Sequence, residues 1–170
     1  AYARSKAFFG GDEFAIVAWQ EAGLLNAGSN SISAASRIRI EAVAEQLAAI
    51  PGTDSDSIQH AAGALSFPYK PDRVAELVEG VLIGADRETT AIVIRLLPEA
   101  DSPVSRARTI AMIRQLASDQ SPPAFVVGEP VQIHDMFRYA EADGRTLFQF
   151  SLALLACVLF LLFRTLRWVI

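Results

Sequence analysis

The sequence contains few side chains from which a metal site or a disulfide framework could be built. Among its 170 residues there is one cysteine, Cys157, and there are two histidines, His60 and His134. A single thiol cannot form an internal disulfide, and a structural zinc site needs about four Cys or His ligands. We therefore expect no metal, no cofactor and no catalytic residue in this chain, and we expect that it is not an enzyme.

Positive charge is also in short supply. The chain has 15 Lys and Arg against 19 Asp and Glu, and its net charge is −4. All of the acidic residues precede Leu147, whereas Arg164 and Arg167 follow it. Proteins that bind nucleic acid present a basic surface to the phosphates. The acidic balance therefore excludes nucleic acid as a partner.

The apolar residues are concentrated near the C-terminus. From Leu147 to Phe163 only Gln149 and Ser151 are polar. At about 1.5 Å per residue such a helix approaches the ~30 Å thickness of the hydrocarbon core. The run predicts a transmembrane helix over residues 143–165, and a buried core helix of a soluble protein is the alternative.

The basic residues after this run predict its orientation. Arg164 and Arg167 follow the run at once, and Lys and Arg are enriched on the cytoplasmic side of membrane helices. Residues 1–142 are therefore predicted to form an extracytoplasmic domain. Residues 166–170 are predicted to begin the next cytoplasmic or membrane segment, with Trp168 as an interfacial anchor.

Strand and helix patterns alternate through residues 1–142. Runs rich in β-branched and aromatic residues predict strands, and stripes of apolar residues at helical spacing predict helices. The predicted elements are strand Glu13–Trp19, helix Ser33–Ile50, a weak strand within Ser57–Ser66, helix Asp72–Glu79, a hairpin from Val81–Ile83 to strand Thr89–Leu97, helix Val104–Ala117 opened by Pro103, strand Phe125–Val127 and helix Val131–Ala142. This order predicts an α+β fold, a ferredoxin-like split βαβ domain with its helices on one face.

Some side chains allow two interpretations. His134 and Asp135 could form a proton relay or could lie on a solvated helix face. Gln149 and Ser151 could contact a neighbouring membrane helix or could lie near the bilayer interface. No residue of a substrate path or of a proton relay is assigned.

The apolar stripe of the first predicted helix also has two interpretations. Ile40, Val43 and Leu47 could belong to the packed core or could line a groove for a lipid. The core interpretation is the simpler one, because a tunnel for hydrophobic cargo is normally formed between domains. Trp19 is interpreted as a core residue at the end of a strand.

Gly10–Phe14 spells the signature of the diguanylate cyclases, and in these five residues the chain resembles that family. The resemblance implies that the glycines approach a nucleotide and that Asp12 and Glu13 serve metal binding and catalysis. In that family the signature lies midway along the domain, whereas here nine residues precede Gly10. A glycine turn leading into a strand is the structural alternative.

A second resemblance covers nearly the whole chain. Its first three features are an acidic turn before the first strand (Phe9–Phe14), a Pro-Gly helix stop (Ala48–Gly52) and an apolar hairpin strand (Ile83–Leu97). The other three are a Gly-x-Pro after the last strand (Gly128 and Pro130), an Asp before a long aliphatic helix (Asp143) and a basic end to that helix (Phe163–Arg167). In this order they resemble the first extracytoplasmic domain and second transmembrane helix of RND superfamily permeases, in the MMPL and hopanoid-exporter-like branch.

This resemblance implies a porter-type domain in a transporter of the bacterial inner membrane, with residues 1–142 extracytoplasmic. Such permeases are proton-driven exporters of lipids or other hydrophobic molecules. The implied partners are the lipid bilayer, a lipid or hydrophobic substrate, the other transmembrane helices and a second porter domain of the same protein, and the resemblance allows a homo-oligomer. A membrane-attached diguanylate cyclase and a membrane-anchored binding or sensor domain are the alternative functions.

Overall fold

A computed structural model describes residues 13–26, 28–29, 31–65 and 78–163. These residues form eight elements: β1 (Phe14–Gln20), α1 (Ala34–Ala48), β2 (Thr53–His60), α2 (Ala61–Ala64), β3 (Thr89–Leu96), α3 (Arg106–Ser118), β4 (Phe125–Val127) and α4 (Glu129–Phe163). Gly10–Asp12, most of the predicted helix Asp72–Glu79 and residues 164–170 lie outside the described residues.

The four strands form one antiparallel sheet in the order β2-β3-β1-β4. β1 pairs with β3 along its whole length, from Phe14 opposite Arg95 to Gln20 opposite Thr89. α1 joins β1 to β2 with β3 between them, and α3 joins β3 to β4 with β1 between them. Each βαβ unit is therefore split by a strand of the other unit, which confirms the predicted ferredoxin-like fold.

The core lies between the sheet and the two longer helices. Every second residue of β1 is buried, ending with Trp19 at 1% exposure. From α1, Ile40, Val43 and Leu47 join the same cluster, so these three side chains are packed core residues. The predictions for this stripe and for Trp19 are confirmed.

The second strand is placed wrongly in the sequence-based prediction. It begins at Thr53 and ends at His60, whereas the prediction placed it within Ser57–Ser66. The strand TDSDSIQH is largely polar because it lies at the sheet edge, so it lacks the apolar alternation that marks a half-buried strand. After it, the His60 Nδ1 accepts a hydrogen bond from the Gly63 amide at 3.1 Å, which caps the single turn of α2.

α3 begins two residues later than predicted. Pro103 does not open it; the Ser102 hydroxyl donates to the Val104 carbonyl at 2.6 Å and closes a turn before the helix. Ser105 is the residue at the N-cap, in an extended conformation, and the helix starts at Arg106.

The predicted hairpin before β3 forms only in part. Ile83 makes an isolated antiparallel bridge with Thr90, and the Leu82 carbonyl accepts from the Ala91 amide at 3.0 Å. The amides of Leu82 and Ile83 donate to the Val78 carbonyl at 2.9 and 3.1 Å. Because of these turn hydrogen bonds, Val81–Ile83 does not form a regular strand.

Gly128 connects β4 to α4 in a conformation that requires glycine. Its φ is +140°, and a Cβ at this position would lie 2.3 Å from the Phe14 carbonyl oxygen. α4 then begins at Glu129, buries Pro130 and Val131, and continues without a break to Phe163. The chain divides into two compact units between Gln132 and Ile133.

Candidate functional site

The surface of α4 is the feature most relevant to function. Its most apolar stretch has a mean hydropathy of 2.4 with none of that stretch buried, and within the described ranges it is the one helix long and apolar enough to cross a membrane. Leu147 through Phe163 are all exposed. The segment is therefore not a core helix of this domain, and its apolar surface needs an apolar environment.

The polar residues on this helix do not assemble into a site. His134 and Asp135 are half-exposed, and Asp135 pairs with Arg138 at 3.8 Å. Gln149 and Ser151 are exposed, as are their neighbours on the helix. In the part of the chain that the structure describes, no group of three or more His, Cys, Asp or Glu could hold a metal ion.

A buried carboxylate, which the sequence patterns did not reveal, lies at the end of β1. Glu21 is only 6% exposed, and its carboxylate accepts hydrogen bonds from the Trp19 indole N–H at 2.8 Å and from the Ser36 hydroxyl at 3.3 Å. The Arg39 guanidinium lies 3.0 Å from the same carboxylate. We call these four residues the Glu21 cluster.

The Glu21 cluster connects three parts of the domain. Arg39 also donates to the Ser121 carbonyl at 2.7 Å, and its guanidinium lies 6.0 Å from the centre of the Trp19 ring. One arginine of α1 thus contacts the end of β1 and the loop that precedes β4. A buried charge with several partners is costly to leave unpaired, so this cluster has a structural role.

Glu13 is the one acidic residue of the cyclase-like signature that the structure describes. Its carboxylate pairs with Arg106 at the start of α3, and Arg106 also donates to the Leu97 carbonyl at 2.7 Å. Phe14 then begins β1. In the described residues, Glu13 therefore connects the start of β1 to the start of α3 through this ion pair.

A polar cleft of about 510 Å³ lies between the loop after β1 and the turn before β3. Its lining residues are Gly23, Leu24, Leu25, Asn26, Gly28, Ser29, Asp86, Arg87 and Glu88. Hydrogen bonds from Thr89 and from the Glu88 amide lower the pKa of the Asp86 carboxyl. The Arg87 guanidinium donates to the Ser29 carbonyl at 3.3 Å, so the two sides of the cleft are in direct contact.

A smaller groove of about 360 Å³ lies between α1 and α3. Apolar side chains form part of it and three glutamines lie among them; the lining residues are Gln46, Ile50, Met112, Gln115, Leu116, Asp119 and Gln120. The groove contains one charged residue, which suits a neutral or weakly polar occupant better than an anion.

The chain is similar to a known protein family. The model of the MMPL family matches residues 20–170, which is most of the chain. No curated protein and no solved structure matches it significantly. The matched range begins at the last residue of β1 and includes the other three strands, both of the longer domain helices and the whole of α4.

Proposed function

The chain belongs to the MMPL family, within the RND superfamily of permeases, and on that premise we propose that it serves proton-driven export of lipids or other hydrophobic molecules. In this proposal the ferredoxin-like domain is a porter-type domain outside the bacterial inner membrane, and α4 carries the chain into the bilayer. The proton-coupling groups would lie in other membrane helices. A charge buried in hydrocarbon is energetically costly, so ionisable residues within membrane helices usually have a function.

One observation carries the proposal: the helix that leaves the domain is exposed and apolar over Leu147–Phe163. A water-soluble protein seldom exposes so large an apolar surface. A bilayer satisfies it, since the backbone groups of a helix are bonded internally. Family membership then makes transport the function that a membrane-bound ferredoxin-like domain of this kind would serve.

The proposed topology can be tested by thiol labelling. Cys157 is replaced by serine, and single cysteines are introduced as Ser118→Cys in the domain and as Thr165→Cys beyond the apolar run. In intact cells whose outer barrier is permeabilised, a membrane-impermeant maleimide should label position 118 and should label position 165 only after lysis. Labelling of position 165 from outside would overturn the topology.

The export activity needs its own test. Inverted vesicles that contain the complete transporter are loaded with a fluorescent lipid, and movement of the lipid is followed after an imposed proton gradient. We expect lipid movement that a protonophore abolishes. Equal movement with and without the gradient would contradict proton coupling.

Two other functions remain as alternatives. A diguanylate cyclase would convert GTP in the presence of Mg²⁺, and Asp12→Ala would abolish that turnover. A membrane-anchored sensor domain would bind a ligand without moving it across the bilayer. Neither activity is needed to account for the ion pair of Glu13 with Arg106 or for the exposed helix.

A further inference from the structure

His60 is both the last residue of β2 and the N-cap of α2. Its backbone is extended, and its Nδ1 accepts a hydrogen bond from the Gly63 amide at 3.1 Å. The ring lies directly against Gly63, because a Cβ added at that glycine would be 3.3 Å from the His60 Cε1. An imidazole that accepts at Nδ1 is neutral and carries its proton on Nε2.

The cap of α2 differs from that of α1 in its response to protons. At the start of α1 the Ser33 hydroxyl oxygen accepts from the Ser36 amide at 3.2 Å, and a hydroxyl remains an acceptor throughout the physiological pH range. When an imidazole is protonated, both of its nitrogens become donors. The Nδ1–H of a protonated His60 would then face the N–H of Gly63. Protonation therefore removes the cap of α2 and leaves the cap of α1 intact.

The surroundings of His60 determine the pH at which this happens. Burial of the ring is the largest influence and lowers the pKa of His60; Arg37 of α1 lowers it further, and Glu41 of α1 raises it. β2 and β3 also pack against α2, and their charged residues Asp54 and Arg95 pair with each other away from His60. α2 itself consists of alanine and glycine. The neutral, capping imidazole is therefore the stable form near pH 7.

α2 depends strongly on its cap, because a single helical turn is not stable by itself. Ala61 and Ala62 are fully buried in the core, so the start of the turn is held by packing. Gly63 is exposed, and the Leu65 amide closes the turn by donating to the Ala61 carbonyl at 3.0 Å. Segments with few buried contacts open at a lower free energy than the core. Loss of the cap should therefore open residues 63–65 first.

We infer that His60 is a pH-sensitive cap, which holds α2 closed near neutral pH and releases residues 63–65 when the imidazole is protonated. Protonation of histidine is a general way to change a local structure in mildly acidic surroundings. In the proposed location outside the inner membrane, this turn would respond to acidification of the periplasm. The inference needs only the titration of His60, so it stands or falls independently of lipid export.

Hydrogen exchange of single amides, measured on the full chain in lipid nanodiscs between about pH 5 and 8, tests the inference. The quantity compared is the protection factor, which removes the intrinsic pH dependence of exchange. On acidification the protection of the Gly63 amide should fall by about threefold to tenfold, with that of Leu65 following. The Ser36 amide, bonded to Ser33, should keep its protection. A protection factor at Gly63 that does not change with pH would overturn the inference.

Two histidine variants identify the group that titrates. Asparagine at an N-cap accepts a hydrogen bond but does not titrate, so in His60→Asn the Gly63 amide should stay protected over the whole pH range. His134→Asn removes the other histidine and should retain the pH dependence of the wild type. If the Gly63 amide still lost protection in His60→Asn, or if His134→Asn abolished the effect, His60 would not be the switch.

Two variants of α1 test the electrostatic part of the inference. Arg37→Gln should move the opening of residues 63–65 to higher pH, and Glu41→Gln should move it to lower pH, because the two charges act on His60 in opposite directions. A general loosening of α1 would instead reduce the protection of the Ser36 amide at every pH. Unchanged midpoints, or shifts in the same direction, would contradict the inference.

Discussion

Gly128 and Phe14 approach each other so closely that a single methyl group would not fit between them. The two residues lie at adjacent ends of β4 and β1, and the position of a Cβ on Gly128 is 2.3 Å from the Phe14 carbonyl oxygen and 3.2 Å from the Ala15 Cα. Because these atoms belong to the backbone, they cannot move aside as a flexible side chain could. The glycine therefore fixes how the last strand meets the first.

Gly128→Ala should destabilise the domain by at least about 2 kcal/mol, because it adds a clash to a backbone conformation that side chains rarely adopt. Gly23→Ala is the matched control: its φ is +72°, but a Cβ there meets no atom within 4 Å. It should cost only about 1–2 kcal/mol. Denaturant unfolding of the purified protein, followed by tryptophan fluorescence, measures both values. Equal losses would show that the contact with Phe14 is unimportant.

Removing the carboxylate of the Glu21 cluster should also be costly. Glu21→Ala leaves the Trp19 indole N–H and the Arg39 guanidinium without their main partner, and we expect a loss of about 2–3 kcal/mol together with a shift of the tryptophan emission. Glu45→Ala, an exposed carboxylate on the same helix as Arg39, should change stability by less than about 0.5 kcal/mol. If Glu21→Ala left the free energy of unfolding unchanged, this would contradict the structural role of the cluster.

His60 predicts a pH dependence of stability. Burial lowers the pKa of its imidazole, an effect that Glu41 opposes and Arg37 reinforces. Since the native state disfavours the charged form, the unfolded chain binds the proton first as the pH falls. The contribution of His60 to the stability of the folded state is therefore complete above about pH 6.5, and it is lost as the pH falls through the lowered pKa of the imidazole.

The melting temperature, measured between about pH 5 and 8, checks this prediction. His60→Asn keeps a side-chain acceptor at the start of α2 but does not titrate, so its melting temperature should fall less on acidification than that of the wild type. Parallel curves for the two proteins would show that His60 makes no such contribution.

Insertion of the membrane segment into the bilayer should be sensitive to an added charge. Leu155 lies at the middle of Leu147–Phe163 and is 55% exposed. Leu155→Arg should oppose insertion by about 3 kcal/mol and shift the protein out of the membrane fraction, whereas Leu155→Phe should not. Fractionation after carbonate extraction gives the measurement. Full retention of the arginine variant in the membrane fraction would argue that this part of the helix is not in hydrocarbon.

Elements with a strong local pattern could be predicted from the sequence. β3 ends within one residue of its predicted end, and both ends of α1 lie within two residues of their predicted positions. These elements were predictable because the spacing of their apolar residues reflects burial. β2 could not be placed, since an edge strand of polar residues carries no such spacing. The start of α3 was predicted at Val104 after Pro103, whereas the helix begins at Arg106 with Ser105 at its N-cap.

The candidate site was predictable to a different extent. The apolar run from Leu147 to Phe163 identifies the exposed helix by composition alone. Glu21 could not be identified in the same way, because Ser36 and Arg39 are 15 and 18 positions away in the chain and reach it only once α1 packs on the sheet. Its segment, rich in glycine, serine and asparagine, indicates a loop and gives no sign of a buried charge.

The irregular edge strand has a consequence for the behaviour of the protein at high local concentration. In β2 the pairing with β3 shifts between Asp54 and Gln59, and Asp56 is exposed within the same stretch. A bulged, acidic border is a poor template for another chain to add a strand. β4, at the opposite border, has only three residues. Neighbouring copies crowded on one membrane should therefore resist joining their sheets into fibrils.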